Sequence, residues 1–216
     1  MYPEIVIPKI KNNYLENTKI IIMLRNPAER AYSGFHHVKR YNVKENIQDF
    51  TEAWKLSEER YFSQKDMTPA SRYQELGLYY NQVQSYLNEF KDNLYIIFYD
   101  DYKSDFKSEM KNVFDFLEVE NIEIDSDKRH MVGGWQWEDE RLRKLMIMKN
   151  PLKSVIKMLI PFKGLRKSIS KRIKENNTVE VQKMTEKERI MIKEFYKIDV
   201  KNLSGLLNRN LNFWVE

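Results

Sequence analysis

An unbroken apolar run, Ile20–Leu24, is the clearest structural signal in the first part of the chain. The run is too short for a buried helix, and it lacks the apolar and polar alternation of a strand with one face in water. Such a run is typical of a central parallel strand that is covered on both faces. The sequence therefore predicts an α/β arrangement around this strand.

The residues that follow the run carry the signals of a helix start. Asn26 is a favoured N-cap, Pro27 suits the first helical position, and Glu29 lies three residues after the cap. A helix is therefore predicted to begin at Pro27. Arg25 would leave the carboxyl end of the strand, and Ser33 would lie about two turns into the helix.

Two later stretches show helical periodicity. Residues 46–60 are predicted as one helix, and a capping box of Thr185 and Glu188 is predicted to open the last helix. The residues expected on the buried faces of these two helices are Phe50, Ala53, Trp54 and Ser57, and then Ile192, Phe195, Tyr196 and Val200. Residues 61–72 are predicted as a loop. Tyr79 is expected within a helix, half-buried, with its hydroxyl at the surface.

Arg25 and Ser33 form a candidate phosphate site. Arginine pairs bidentately with phosphate oxygens, serine adds a neutral donor, and the free N–H groups of a first helical turn favour an anion. The spacing fits a second interpretation equally well. In that interpretation Arg25 is an ordinary surface charge beside Glu29, and Ser33 is a small residue in a helix contact.

The string Leu24–Ser33, LRNPAERAYS, closely resembles the 3′-phosphate-binding segment of sulfotransferases that use 3′-phosphoadenosine 5′-phosphosulfate (PAPS). In that family the residues matching Arg25 and Ser33 contact the 3′-phosphate of the nucleotide. Further stretches resemble the family's later helices, second strand and closing helix. They are residues 75–79, 94–102, 113–117 and 195–214.

This resemblance implies a P-loop nucleotide-binding-like α/β fold of the sulfotransferase type. Three layers are expected, with a parallel sheet that contains Ile20–Leu24 and Leu94–Phe98 and is flanked by helices. The implied activity is transfer of a sulfuryl group from PAPS to a hydroxyl or amine, with adenosine 3′,5′-bisphosphate as product. The acceptor is expected to resemble a carbohydrate, as in the carbohydrate and heparan-sulfate sulfotransferases.

One family signature has no counterpart here. The family's loop for the 5′-phosphosulfate is rich in glycine and threonine and carries a lysine, whereas the six glycines of this chain lack that context. The chain is therefore expected to be N-terminally incomplete, and whether it turns over in this form is left open. The catalytic base is not identified. His37, one turn beyond Ser33, is a candidate against the commoner interpretation of a solvated histidine, and Glu4 and His130 are weaker candidates.

Composition limits the remaining possibilities. With 216 residues, 42% of them hydrophobic, residues 1–216 are expected to form a single domain. The chain has no cysteine and three scattered histidines, so no metal site is expected. No signal peptide or membrane-spanning stretch is recognised, which predicts a cytoplasmic location, although an anchor or signal upstream is left open.

Residues 141–175 concentrate positive charge, with about a dozen lysines and arginines among apolar residues. A solvated helical face is the favoured interpretation, and contact with a membrane surface or a polyanion is an alternative. Resemblance adds a lid over the nucleotide at Lys163–Lys167. Nucleic acid is not expected as a partner, and the oligomeric state is not indicated. The rival function is a non-catalytic polyanion- or membrane-surface-binding protein with a vestigial nucleotide site.

Overall fold

A computed structural model describes residues 2–13, 17–65, 67–124, 133–148 and 158–216. Within these residues the chain forms mainly α-helices, with a few short strands between some of them. The α-helices are α1 (Pro3–Asn13), α2 (Pro27–Tyr41), α3 (Phe50–Lys55), α4 (Ser57–Ser63), α5 (Tyr80–Phe90), α6 (Tyr99–Ser104), α7 (Phe106–Leu117), α8 (Glu140–Ile147), α9 (Lys163–Glu175) and α10 (Glu186–Leu206). The strands are β1 (Ile20–Leu24), β2 (Leu94–Phe98), β3 (Trp135–Trp137) and β4 (Thr178–Glu180), and short 3-10 turns occupy Pro69–Ser71, Glu75–Gly77, Lys91–Asn93 and Asn212–Trp214.

The contacts divide the described residues into two compact units. The first unit draws on residues 1–31, 74–132 and 185–216, and the second on residues 32–73 and 133–184. Helix α2 contributes residues 27–31 to the first unit and 32–41 to the second. Whether the chain acts as one domain, as its composition predicts, stays a prediction.

The first unit is built on the parallel pair β1 and β2, whose register runs from Ile20 opposite Leu94 to Leu24 opposite Phe98. Both strands have the bounds that the sequence predicts. The prediction that β1 is covered on both faces is wrong. Ile22 and Leu24 are buried, whereas Ile21 and Met23 are 39% and 48% exposed. The alternating directions of strand side chains therefore give β1 one buried and one exposed face.

Helix α10 supplies much of the apolar core of this unit. Its capping box forms as predicted, with Thr185 accepting from the Glu188 N–H and the Glu188 carboxylate accepting from the Thr185 N–H. The buried residues of α10 are Ile192, Tyr196, Val200 and Leu203. The prediction that Phe195 faces the core is wrong, because Phe195 is 41% exposed. The i, i+4 spacing of the buried stripe places position 195 beside the core face.

The side chain of Tyr196 packs directly against Gly77. Its hydroxyl donates to the Gln74 carbonyl oxygen over 3.0 Å. A Cβ atom at Gly77 would lie 2.5 Å from that hydroxyl oxygen, so the phenol fits only against a glycine. Gly205, near the end of α10, has nothing within 4 Å of the corresponding Cβ position.

The second unit surrounds a buried charge pair. Glu45 is fully buried, and its carboxylate lies 2.9 Å from an Arg60 guanidinium nitrogen and accepts from the Tyr73 hydroxyl over 2.6 Å. Arg143 of α8 is also buried and donates to the carbonyl oxygens of Lys39 and Asn42 at the end of α2. The unit therefore orders the end of α2 through one arginine as well as through apolar contacts.

The predicted helix over residues 46–60 is two helices. Helix α3 begins after Asp49, whose carboxylate accepts from the Glu52 N–H, and it ends at Lys55 before α4 begins at Ser57. Helix α3 therefore begins four residues after the predicted start at Asn46, and α4 runs into the stretch predicted as a loop. The predicted buried face is confirmed at all four positions, which are Phe50, Ala53, Trp54 and Ser57.

The basic segment 141–175 includes all of α9 and all of α8 except its first residue, Glu140, and its residues 149–157 lie outside the described residues. Helix α9 has no buried residue. After it, β4 pairs antiparallel with β3, from Thr178 opposite Trp137 to Glu180 opposite Trp135. Among the helices that are described, none is both long and apolar enough to cross a membrane.

Candidate functional site

Arg25 lies directly after β1, at the carboxyl end of the parallel pair, as predicted. Its guanidinium is 4.9 Å from the centre of the Tyr99 ring, and one Nη donates to the Glu29 carboxylate over 2.9 Å. The Nε atom is buried and has no hydrogen-bond partner among the described residues. A buried N–H donor without an acceptor is costly, so an added acceptor such as a phosphate oxygen would be stabilised there.

Asn26 fixes the start of α2 beside this arginine. Its side-chain oxygen accepts from the Ala28 and Glu29 N–H groups, which confirms the predicted N-cap. Its amide nitrogen donates to the Trp214 carbonyl oxygen over 3.2 Å. The first helical turn is therefore held by the last residues of the chain.

The residues after β2 hold the same C-terminal segment. The buried Trp214 indole donates to an Asp100 carboxylate oxygen over 2.7 Å. Arg209 makes two hydrogen bonds of 2.7 Å to Asp101, and this pairing raises the pKa of Arg209. The segments that follow both parallel strands are thereby tied to the C-terminus, which orders the edge where open α/β sheets bind ligands.

Tyr79 is more deeply buried than the sequence predicts, because it was expected to be half-buried within a helix. It precedes α5 and is buried, and this burial raises its pKa to about 12, although the nearby cations and a hydrogen bond with the Arg25 backbone oppose the rise. The backbone N–H groups of Tyr79 and Tyr80 donate to Asp199 of α10. Tyr79 therefore stays a neutral phenol that supports the backbone of Arg25.

Ser33 is exposed within α2, in the part that belongs to the second unit. Arg25 belongs to the first unit, so the convergence of the two side chains on one phosphate stays a prediction. Helix α2 begins at Pro27, as predicted, and continues to Tyr41, so Ser33 lies about two turns after the N-cap, as expected.

The two histidines that follow Ser33 differ in environment. His36 is buried against the Tyr32 and Phe35 rings, and burial, with Lys39 and Arg40 nearby, lowers its pKa to about 4. His37 is exposed, and its pKa is lowered by desolvation and by Arg40. A lowered pKa keeps His37 neutral at pH 7, which a proton acceptor requires. The catalytic base stays unidentified, with His37 as a candidate for it.

The other candidate bases lie elsewhere. Glu4 is exposed in α1 and, with Glu75 and Glu89, lines a groove of about 580 Å³ in the first unit. Three carboxylates favour a neutral or cationic occupant over a phosphate. His130 lies outside the described residues.

Several contacts of the site were not predicted from sequence. The ion pair between Arg25 and Glu29 agrees with their i, i+4 spacing, which the sequence already shows. The roles of Tyr99, Asp100 and Trp214 depend on residues more than 70 positions apart in the chain. No local pattern reports such contacts.

Comparison with known proteins agrees with the resemblance seen in the sequence. The family model described as a sulfotransferase domain matches residues 7–186. Comparison with curated proteins finds no match. A crystal structure of a sulfotransferase from Alicyclobacillus acidocaldarius matches with a TM-score of 0.64 at 23% identity, covering 100% of this chain and 64% of that one. The likeness shows a shared fold, and the chain spans less than two thirds of that protein's length.

Proposed function

The chain belongs to the sulfotransferase domain family, and from that membership we propose that it transfers a sulfuryl group from PAPS to a hydroxyl or amine of a carbohydrate-like acceptor. Arg25 and Ser33 would hold the 3′-phosphate of the nucleotide. The α/β fold and the parallel strands β1 and β2 support this assignment, because open sheets of this kind bind nucleotides at the carboxyl ends of their strands.

The environment of Arg25 is the observation that carries the proposal. The guanidinium stands after β1 next to a capped helix start, lies near the Tyr99 ring, and keeps a buried Nε–H without an acceptor among the described residues. One Nη is paired with Glu29, so a phosphate would share this guanidinium with Glu29 or displace it. These features suit a doubly charged group that arrives and leaves during turnover.

The proposed reaction is a direct displacement at sulfur. The acceptor oxygen or nitrogen forms a bond to sulfur, and the bond between sulfur and the bridging phosphate oxygen breaks. Adenosine 3′,5′-bisphosphate leaves with the electron pair, and the acceptor's proton passes to a base. The base is not identified, and His37 is one candidate because its side chain is exposed one turn after Ser33.

Transfer of labelled sulfate from PAPS to a panel of polysaccharides and amino sugars tests this function. We expect acceptor labelling that matches the adenosine 3′,5′-bisphosphate released. The Arg25→Ala variant should raise the KM for PAPS by about 10- to 150-fold, the equivalent of ~1.5–3 kcal/mol for a hydrogen bond to a charged group. Lys103→Ala, which removes an exposed cation from α6, is the matched control and should leave the KM unchanged.

The non-catalytic alternative predicts a different outcome. If neither protein labels any acceptor and the wild-type chain binds adenosine 3′,5′-bisphosphate no better than Arg25→Ala, a vestigial nucleotide site is the better account. Labelling with an unchanged KM in Arg25→Ala would keep the activity and reject the role of Arg25.

A further inference from the structure

The segment from Met158 to Glu175 exposes a dense set of large apolar side chains. Five of them are between 39% and 74% exposed, and they are Met158, Leu159, Phe162, Leu165 and Ile169. We call this set the α9 apolar surface. Single exposed apolar residues are common in proteins, but five within twelve positions form a feature that needs a partner.

The apolar and the charged side chains of helix α9 lie on different sides of the helix. At 3.6 residues per turn, Leu165 and Ile169 lie on one side of the helix together with Ile173. The six cations of the segment are Lys163, Arg166, Lys167, Lys171, Arg172 and Lys174, and its one carboxylate is Glu175. By the same geometry the lysines occupy the opposite side, and the two arginines flank the apolar stripe.

Specific contacts hold the segment in one geometry. The Arg166 guanidinium donates to the carbonyl oxygens of Ile160 and Pro161 over 2.6 and 2.8 Å, which fixes the turn carrying Phe162 to the start of α9. At the other end, the Lys174 ammonium lies 4.0 Å from the centre of the Trp135 ring in β3. The α9 apolar surface is thus a defined face of the second unit.

We propose that the α9 apolar surface lies on the surface of an anionic lipid bilayer, with Phe162 and Leu165 entering the boundary between headgroups and acyl chains. A helix that carries an apolar stripe, flanking arginines and a lysine-rich polar side suits such an interface, because one side buries apolar area and the other attracts acidic headgroups. The charge selects this occupant. A soluble polyanion would leave the apolar stripe in water, and an uncharged protein groove would leave the six cations without a complement. The proposal is independent of the sulfotransferase assignment.

Co-sedimentation of the full chain with vesicles tests the proposal. Vesicles of phosphatidylcholine with 30% phosphatidylglycerol should bind the chain at low salt, and pure phosphatidylcholine vesicles should bind it at least tenfold more weakly. The Lys167→Gln, Lys171→Gln double variant should bind about 30-fold more weakly, because each cation near an anionic surface contributes about a factor of five. The Phe162→Gln, Leu165→Gln double variant should lose at least tenfold at every salt concentration.

Control variants test whether removing any exposed apolar or cationic side chain would weaken vesicle binding. Ile198→Gln removes an equally exposed apolar side chain from α10, and Lys103→Gln with Lys107→Gln removes two exposed cations from the first unit. Both controls should bind vesicles like the wild type, and circular dichroism should show that every variant is folded. Absence of vesicle binding, or binding that ignores the Phe162 and Leu165 changes, would overturn the proposal. Tight binding to heparin with no binding to vesicles would assign the cations to a soluble polyanion instead.

Discussion

Glu29 gives a prediction in which folding stability and nucleotide affinity move in opposite directions. Its carboxylate accepts a 2.9 Å hydrogen bond from Arg25, the guanidinium proposed to hold the 3′-phosphate. The nucleotide must therefore compete with Glu29 for the same cation. Replacing the carboxylate by its neutral isostere, Glu29→Gln, keeps the shape of the side chain and removes the competitor.

The magnitudes follow from the exposure of the pair. The side chains of Arg25 and Glu29 are 32% and 48% exposed, so the ion pair is worth only ~0.3–1 kcal/mol. Glu29 also lies in the first turn of α2, where a negative charge stabilises the helix by a further ~0.3–1 kcal/mol. Glu29→Gln should therefore lower the free energy of unfolding by about 0.6–2 kcal/mol and tighten adenosine 3′,5′-bisphosphate binding about two- to fivefold.

Isothermal titration and urea unfolding measure the two effects. Glu186→Gln is the matched control, because Glu186 is also in a first helical turn and lies 3.7 Å from an arginine, Arg189, in α10. We expect a similar loss of stability in the control and no change in nucleotide affinity. Weaker nucleotide binding by Glu29→Gln would refute the reasoning, because it would show that Glu29 assists the site and does not compete with the ligand.

Three further predictions concern contacts that support the site and the core. Asp101→Asn should lower the free energy of unfolding by about 1 kcal/mol in denaturant titration, and a double-mutant cycle with Arg209→Gln should show coupling. The wild type should lose thermal stability as the pH falls from 6.5 to 4, because the folded-state pKa of His36 is about 4 and the unfolded chain therefore binds more protons over that range. The His36→Phe variant lacks this histidine, so its thermal stability should fall less over the same range. Gly77→Ala should lower the free energy of unfolding by about 1–3 kcal/mol, because the new Cβ would clash with Tyr196. Gly205→Ala, in open space within a helix, should raise it by about 0.5–1 kcal/mol. Equal effects of the two substitutions in denaturant titration would contradict the contact between Gly77 and Tyr196.

Much of the local structure follows from short-range signals. The strand Ile20–Leu24, the helix start at Pro27 and the capping box of Thr185 depend on neighbouring residues, and all three are confirmed. The break between α3 and α4, the exposed side of β1 and the exposure of Phe195 depend on what packs against each element. Hydrophobic pattern reports which residues can be buried, but tertiary contacts decide which of them are.

The candidate site likewise combines features set by neighbouring residues with features set by tertiary contacts. The sequence indicates Arg25 at the end of a strand and Asn26 as the helix cap, because both depend on residues nearby. It does not indicate the Tyr99 ring beneath the guanidinium or the C-terminal segment that accepts from Asn26. The assignment of a phosphate to Arg25 came from family resemblance, since spacing alone allowed an ordinary surface ion pair.

A thermodynamic cycle that removes the 3′-phosphate from the ligand and the Arg25 side chain from the protein tests their mutual recognition most directly. The affinities of adenosine 3′,5′-bisphosphate and adenosine 5′-monophosphate are measured by titration against the wild-type chain and against Arg25→Ala. We predict that the wild type prefers the bisphosphate by at least tenfold and that Arg25→Ala binds the two nucleotides almost equally, because the arginine and the 3′-phosphate act as one pair. An undiminished preference in Arg25→Ala would contradict the account.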